Sequence, residues 1–103
     1  MKVVFVFPPY DVTASYGGRG RMRAGTIPPL GVGYLAAAIE TEGHTASLVD
    51  AAAEQYTIPE TVCAVLAESP DVIGITSLTY HALAAYELAT ALKAERPGVP
   101  IVM

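Results

Sequence analysis

Apolar residues fall in four short runs, separated by three longer stretches in which they recur at helical spacing. The first run, Val3 to Phe7, is β-branched and aromatic with no polar alternation, the pattern of a strand buried on both faces. Pro8-Pro9 closes it. Pro28-Pro29 opens a helix placed at about Leu30 to Glu42, with Gly43 as its stop. Leu35, Ala38 and Ile39 are spaced to face a sheet, while Gly31, Gly33, Ala36 and Ala37 would let the backbone come close. His44 to Val49 reads as a second strand ending at Asp50-Ala51. Thr57-Ile58-Pro59-Glu60 is a capping box with proline in the first turn, where its missing N–H costs nothing. The helix it starts carries Val62, Val65 and Leu66 and ends at Ser69-Pro70. Val72 to Thr76 is a third strand. A third helix, about Tyr80 to Glu95, has Ala82, Ala85, Ala89 and Leu92 on one face and Lys93 and Arg96 near its negative end. Pro97-Gly98 breaks it, and Val99 to Met103 begins a fourth strand.

This is a βαβαβαβ pattern. Strands alternating with helices imply parallel pairing, right-handed crossovers and helices on both faces. The expected architecture is an α/β doubly wound, flavodoxin-like sheet of order 2-1-3-4. With 103 residues the chain makes one domain. It stops in or just after the fourth strand, where this class normally adds a fifth strand and further helices, so it reads as a segment of a longer protein.

Composition narrows the function. Hydrophobic residues are 52% and charged residues 16%, which excludes disorder. The apolar runs are far shorter than the roughly 18 residues of a membrane span, and Val3 to Phe7 is too short for a signal-peptide core. A cytoplasmic protein is expected. A single cysteine excludes an internal disulfide framework and a cysteine-only metal or iron–sulfur site. Cys63, mid-helix among Val62, Ala64 and Val65, reads as a core residue. The net charge of −4 argues against nucleic acid as a partner. Arg19, Arg21 and Arg23 are clustered, so an anion contact would use them or a helix N-terminus.

Ligands of open parallel sheets bind beyond the carboxyl ends of the strands, where strand order reverses. For order 2-1-3-4 that point lies between the first and third strands. Two segments flank it. One is the loop from Pro8 to Thr26, too long for an ordinary strand-to-helix connection and rich in Tyr10, Tyr16, Gly17, Gly18, Gly20, Gly25 and the three arginines. It reads as a ligand-covering or partner-contacting loop, or as a solvated insertion; it lacks nucleotide-fingerprint spacing. The other is Thr76-Ser77-Leu78-Thr79, which offers hydroxyls to a ligand or plain N-caps to a helix. Asp50, ending the second strand, reads as a turn cap or as an acceptor for a ribose hydroxyl.

These residues carry a resemblance. A strand ending in Pro8-Pro9, the block Pro28-Pro29-Leu30-Gly31-Val32-Gly33-Tyr34-Leu35-Ala36-Ala37, Glu42-Gly43-His44 with Val49-Asp50-Ala51, and Asp71 to Thr76 together resemble the amino-terminal cobalamin-binding domain of cobalamin-dependent radical SAM enzymes. The resemblance implies a Rossmann-like domain that lays the corrin ring across the carboxyl edge of its sheet. It implies that Thr76, Ser77, Leu78 and Thr79 line the pocket for the nucleotide tail, in place of a Ser-x-Leu stretch. Pro8, Pro9, Tyr10, Leu30, Gly31 and Tyr34 would lie near the corrin's lower face.

The parent protein would add a radical SAM domain with a 4Fe–4S cluster and S-adenosylmethionine, and would catalyse methyl transfer or a related rearrangement or cyclisation. This segment lacks the three-cysteine motif, so it has no catalytic residues of its own. It also lacks Asp-x-His-x-x-Gly, as the radical SAM branch commonly does. His44 is at the wrong end of the sheet for cobalt; His81 is nearer but matches no ligand motif. The Gly-Gly that the resemblance places after the fourth strand is absent from this chain. A second reading is the amino-terminal half of a nucleotide-sugar transferase, with Arg19 or Arg21 on a diphosphate. A third is a receiver-like or scaffolding domain, which the lack of an acid after Ile75 disfavours.

Overall fold

The structure, a computed structural model, describes residues 1–9, 30–76 and 82–103. Its elements are β1 (Lys2–Phe7), α1 (Leu30–Thr41), β2 (Thr45–Asp50), α2 (Ala51–Glu54), α3 (Ile58–Ala67), β3 (Val72–Ile75), α4 (Ala82–Glu95) and β4 (Ile101–Val102). All pairings are parallel and the sheet order is β2-β1-β3-β4. The expected topology is therefore the observed one.

The pleat of β1 divides its side chains between two cores. Val4 and Val6 join Val49, Ile73 and Ile75 under α3 (Val62, Val65) and α4 (Ala85, Leu88, Leu92). Val3 and Phe5 join Val32 of α1, with Ala36, Ile39, Ala46 and Val72 around them. Alternate residues of one uninterrupted apolar strand thus feed opposite layers, which is why the run shows no polar alternation.

Three readings of faces need correction. The buried edge of α1 is Val32, Ala36 and Ile39, whereas Leu35 and Ala38 are exposed. The helix is apolar nearly all round until Glu40, so periodicity could not select its inner face. Gly31 and Gly33 are not at a close approach: a Cβ on either would meet open space. Cys63 is exposed, because α3 buries Thr61, Val62 and Val65 and position 63 turns away from that stripe. Thr61 is the unforeseen buried polar residue, satisfied by donating its hydroxyl to the Thr57 carbonyl at 2.7 Å.

Boundaries shift modestly. β2 begins at Thr45 rather than His44, and β4 comprises two residues. The short α2 was not anticipated: the Asp50 side chain accepts from the Ala53 N–H at 3.0 Å, and Gln55 closes the turn with φ of 56°. The capping box at Thr57 is present as read, with Glu60 N–H to the Thr57 hydroxyl and Thr57 N–H to the Glu60 carboxylate. Gly43, at φ of 87°, ends α1 in the left-handed conformation that favours glycine.

At the amino-terminal edge, a polar clasp ties β1, β2 and the α3–β3 turn. Lys2 Nζ donates to Glu68 Oε2 at 2.8 Å, and the Ser47 hydroxyl reaches the same oxygen at 3.4 Å. The Lys2 N–H donates to Asp71 Oδ2 at 2.7 Å. The hydrogen bond and charge of Lys2 hold the Glu68 carboxyl below the usual carboxylate range.

Candidate functional site at the carboxyl edge of the sheet

Parallel strands give the sheet two unlike edges, and ligands of such sheets bind at the carboxyl one, at the switch point between β1 and β3. Phe7 pairs with Asp50 on one side, while Val6 pairs with Ile75 on the other. Thr76, one residue on, therefore stands level with Phe7, and its N–H donates to the Val6 carbonyl at 3.1 Å. Asp50, Phe7 and Thr76 form one rung across the edge. Pro8 follows that rung and is fully buried; Pro9 and Thr76 are half-buried. The double proline ends the strand, since it offers no N–H to continue the ladder.

Helix α1 brings its first turn to the same edge. Its last turn leads through Gly43 to Thr45, whose N–H bonds the Met1 carbonyl at the amino-terminal edge. A helix of 12 residues is about 18 Å long, so Leu30 and Gly31 start near the opposite, carboxyl edge. Tyr34 follows one turn later and is 79% exposed, so it does not pack the helix onto the sheet. No acidic residue occupies this first turn, and its leading N–H groups have no partner within the helix.

Of the residues assigned from the sequence, the structure brings Pro8, Pro9 and Thr76 onto one rim and sets Gly31 and Tyr34 in the first turns of α1, beginning at Leu30. Tyr10, Ser77, Leu78 and Thr79 lie outside the described residues, as do His81 and the loop with Arg19, Arg21 and Arg23. His44 is exposed at the amino-terminal edge, its N–H bound to the Ile39 carbonyl, at the far pole from this rim. Asp50 carries the formal charge on the rung. The sequence offered its position at the strand end but not its level with Thr76, which depends on register.

Among the described residues the rim presents a proline-sealed strand end, the Thr76 hydroxyl, the Asp50 carboxylate and a helix start without side chains at positions 31 and 33. Among the described residues no group of three or more histidines, cysteines or acids is arranged to hold a bare metal ion. No helix among them is long and apolar enough to cross a membrane.

Comparison with known proteins agrees with this architecture. A protein of Pyrococcus horikoshii named as an uncharacterized methyltransferase (PH0819) is 32% identical over 103 residues, all of this chain. The chain spans about a fifth of that relative's length, 21%. No solved structure matches significantly, and nothing in these comparisons supports the nucleotide-sugar transferase alternative. The family model described as the B12 binding domain matches residues 19–103, more than four-fifths of the sequence, and the chain belongs to that family.

Proposed function

We propose that this chain binds cobalamin on the carboxyl rim of its sheet and presents it to a radical SAM domain of a longer protein. The observation that supports the reading most is the convergence of Pro8-Pro9, Thr76 and the start of α1 on one edge, in a chain of the B12-binding family. The residues fit such a group. Open space at Gly31 and Gly33 leaves the helix start flat enough for a wide ring to approach. A ligand rich in carboxamides needs separate hydrogen-bonding partners, and the Thr76 hydroxyl and the Asp50 carboxylate are two such groups on this rim.

In this reading Thr76, with Ser77, Leu78 and Thr79, lines the nucleotide tail. Pro8, Pro9, Tyr10, Leu30, Gly31 and Tyr34 lie beneath the corrin. The protein binds, orients and excludes water. The bound cofactor supplies cobalt-centred group-transfer chemistry, and the methyltransferase name of the relative favours methyl transfer over rearrangement or cyclisation. The radical SAM partner, with its 4Fe–4S cluster and S-adenosylmethionine, rests on the sequence resemblance.

Titration with hydroxocobalamin tests the proposal. A saturable change in the visible bands is expected, with thermal stabilisation that grows with ligand. At a hundredfold excess over Kd, binding to the folded state alone adds about 2.7 kcal/mol. At about 4–8 °C per kcal/mol, that raises Tm by roughly 10 °C or more. An unchanged spectrum and an unchanged Tm at saturating cofactor would refute it.

A further inference from the structure

We infer that Asp50 is a ligand-positioning residue of this rim, accepting a hydrogen bond from a carboxamide N–H on the corrin periphery. The inference rests on the cobalamin reading above and adds to it a contact and an address. Asp50 is half-buried at the end of β2, directly paired with Phe7 and level with Thr76. One of its oxygens, Oδ1, is committed to the Ala53 N–H at 3.0 Å. That bond fixes the carboxylate against the first turn of α2 and determines its orientation. The other oxygen, Oδ2, has no partner among the described residues, and it lies on the carboxyl edge one strand away from the β1–β3 switch point.

A carboxylate held by one oxygen and open at the other is a pre-positioned acceptor, and ordering it on ligand binding costs little side-chain entropy. The chemistry it selects is a neutral N–H or O–H donor. Cobalamin has two sources of such donors, the carboxamides around the corrin and the ribose of its nucleotide tail. Position separates them. Thr76 lies on β3, on the other side of β1, two strand spacings or about 10 Å from Asp50. If the tail runs past Thr76, Asp50 meets the ring's opposite flank.

The test compares wild type, Asp50→Asn and Asp50→Ser by titration with hydroxocobalamin and with cobinamide, which keeps the corrin carboxamides but lacks the nucleotide tail. Asn and Ser are both good N-caps, so α2 should survive in each variant and the Tm of the ligand-free chain should stay within a few degrees of wild type. Each variant loses the free carboxylate oxygen: in Asn the second atom is an amide nitrogen that can only donate, and Ser has a single oxygen, on a shorter side chain, that the cap to the Ala53 N–H engages. A hydrogen bond to a charged group corresponds to roughly a tenfold or larger change in affinity. About tenfold weaker binding of both ligands by both variants, with ligand-free Tm preserved, supports the inference. Wild-type affinity in the variants overturns it. A loss seen with hydroxocobalamin but not with cobinamide moves the donor to the tail and overturns the assignment to the ring. A fall in ligand-free Tm that accounts for the weaker binding reduces Asp50 to a cap and also overturns it. Failure of the wild-type chain to bind either ligand defeats the cobalamin reading itself, and this inference with it.

Discussion

Among the described glycines, Gly74 alone has a neighbouring side chain, that of Phe5 on the adjacent strand, within 4 Å of where a Cβ would stand, and its replacement gives a quantitative test of the packing. A Cβ built on Gly74 would sit 3.0 Å from Cδ1 and 3.2 Å from Cε1 of Phe5. Carbon atoms pack best at about 3.5–4.0 Å, so in Gly74→Ala the ring must retreat by several tenths of an ångström. It has little freedom to do so, because Phe5 is 8% exposed and packed with Val3 and Val32. Overpacking of this kind costs about 1–3 kcal/mol. Replacing a strand glycine by alanine returns about 0.5–1 kcal/mol of backbone entropy. The net expectation is a destabilisation of about 1 kcal/mol, or a Tm lower by roughly 4–8 °C.

Denaturant unfolding of wild type, Gly74→Ala, Phe5→Leu and the double variant provides the assay. Phe5→Leu removes the ring, so alanine at 74 should be tolerated or favourable in that background. The coupling between the two sites should then be about 1 kcal/mol in the sense of rescue. Additive effects, or a Gly74→Ala variant more stable than wild type, would show that the ring and the strand are not in the contact described.

Thr57→Ala removes the hydroxyl that accepts from the Glu60 N–H, leaving only the backbone half of the α3 capping box, and should cost about 1 kcal/mol, within a range of 0.5–2, in thermal or urea unfolding; Thr57→Asp should recover most of it. Ser69 holds φ of 51°, so Ser69→Gly should raise stability by up to about 1 kcal/mol, measured the same way. Glu68 gives a pH test. Lys2 lowers its folded-state pKa, so the bridge stabilises the fold above the unfolded carboxylate range and that contribution is lost as pH falls through the lowered value. In Lys2→Met the acid limb of the stability profile should be shallower than in wild type while the neutral plateau moves little, since both partners are partly exposed. An unchanged acid limb would show that the clasp does not hold in solution.

The sequence carried the topology because each element announced itself through a different signal. Pro8-Pro9, Gly43 and the Thr57 capping box marked ends, while the apolar runs marked the strands between them. Right-handed crossovers then left few ways to order four strands. Faces were harder to read. In α1 the apolar residues surround the axis, so Leu35 and Val32 look alike until the sheet is in place. Cys63 was assigned inward for its neighbours' sake, yet a shift of one residue along a helix is a turn of about 100°. The candidate rim was half legible. Strand ends could be located from Pro8 and Thr76, but the rung linking them to Asp50 depends on register, and register is set by pairing across distant parts of the chain.

Backbone amide shifts of the isotopically labelled chain, followed by NMR as hydroxocobalamin is added, test the central assignment residue by residue. Phe7, Gly31, Asp50 and Thr76 should shift together and saturate at one concentration, while Gly43, His44, Thr45 and Asp71 at the opposite edge stay in place. Shifts concentrated at the amino-terminal edge, or in the surface groove lined by Val62, Cys63 and Leu66 of α3 and Ala91 and Ala94 of α4, would contradict the placement of the cofactor on the carboxyl rim.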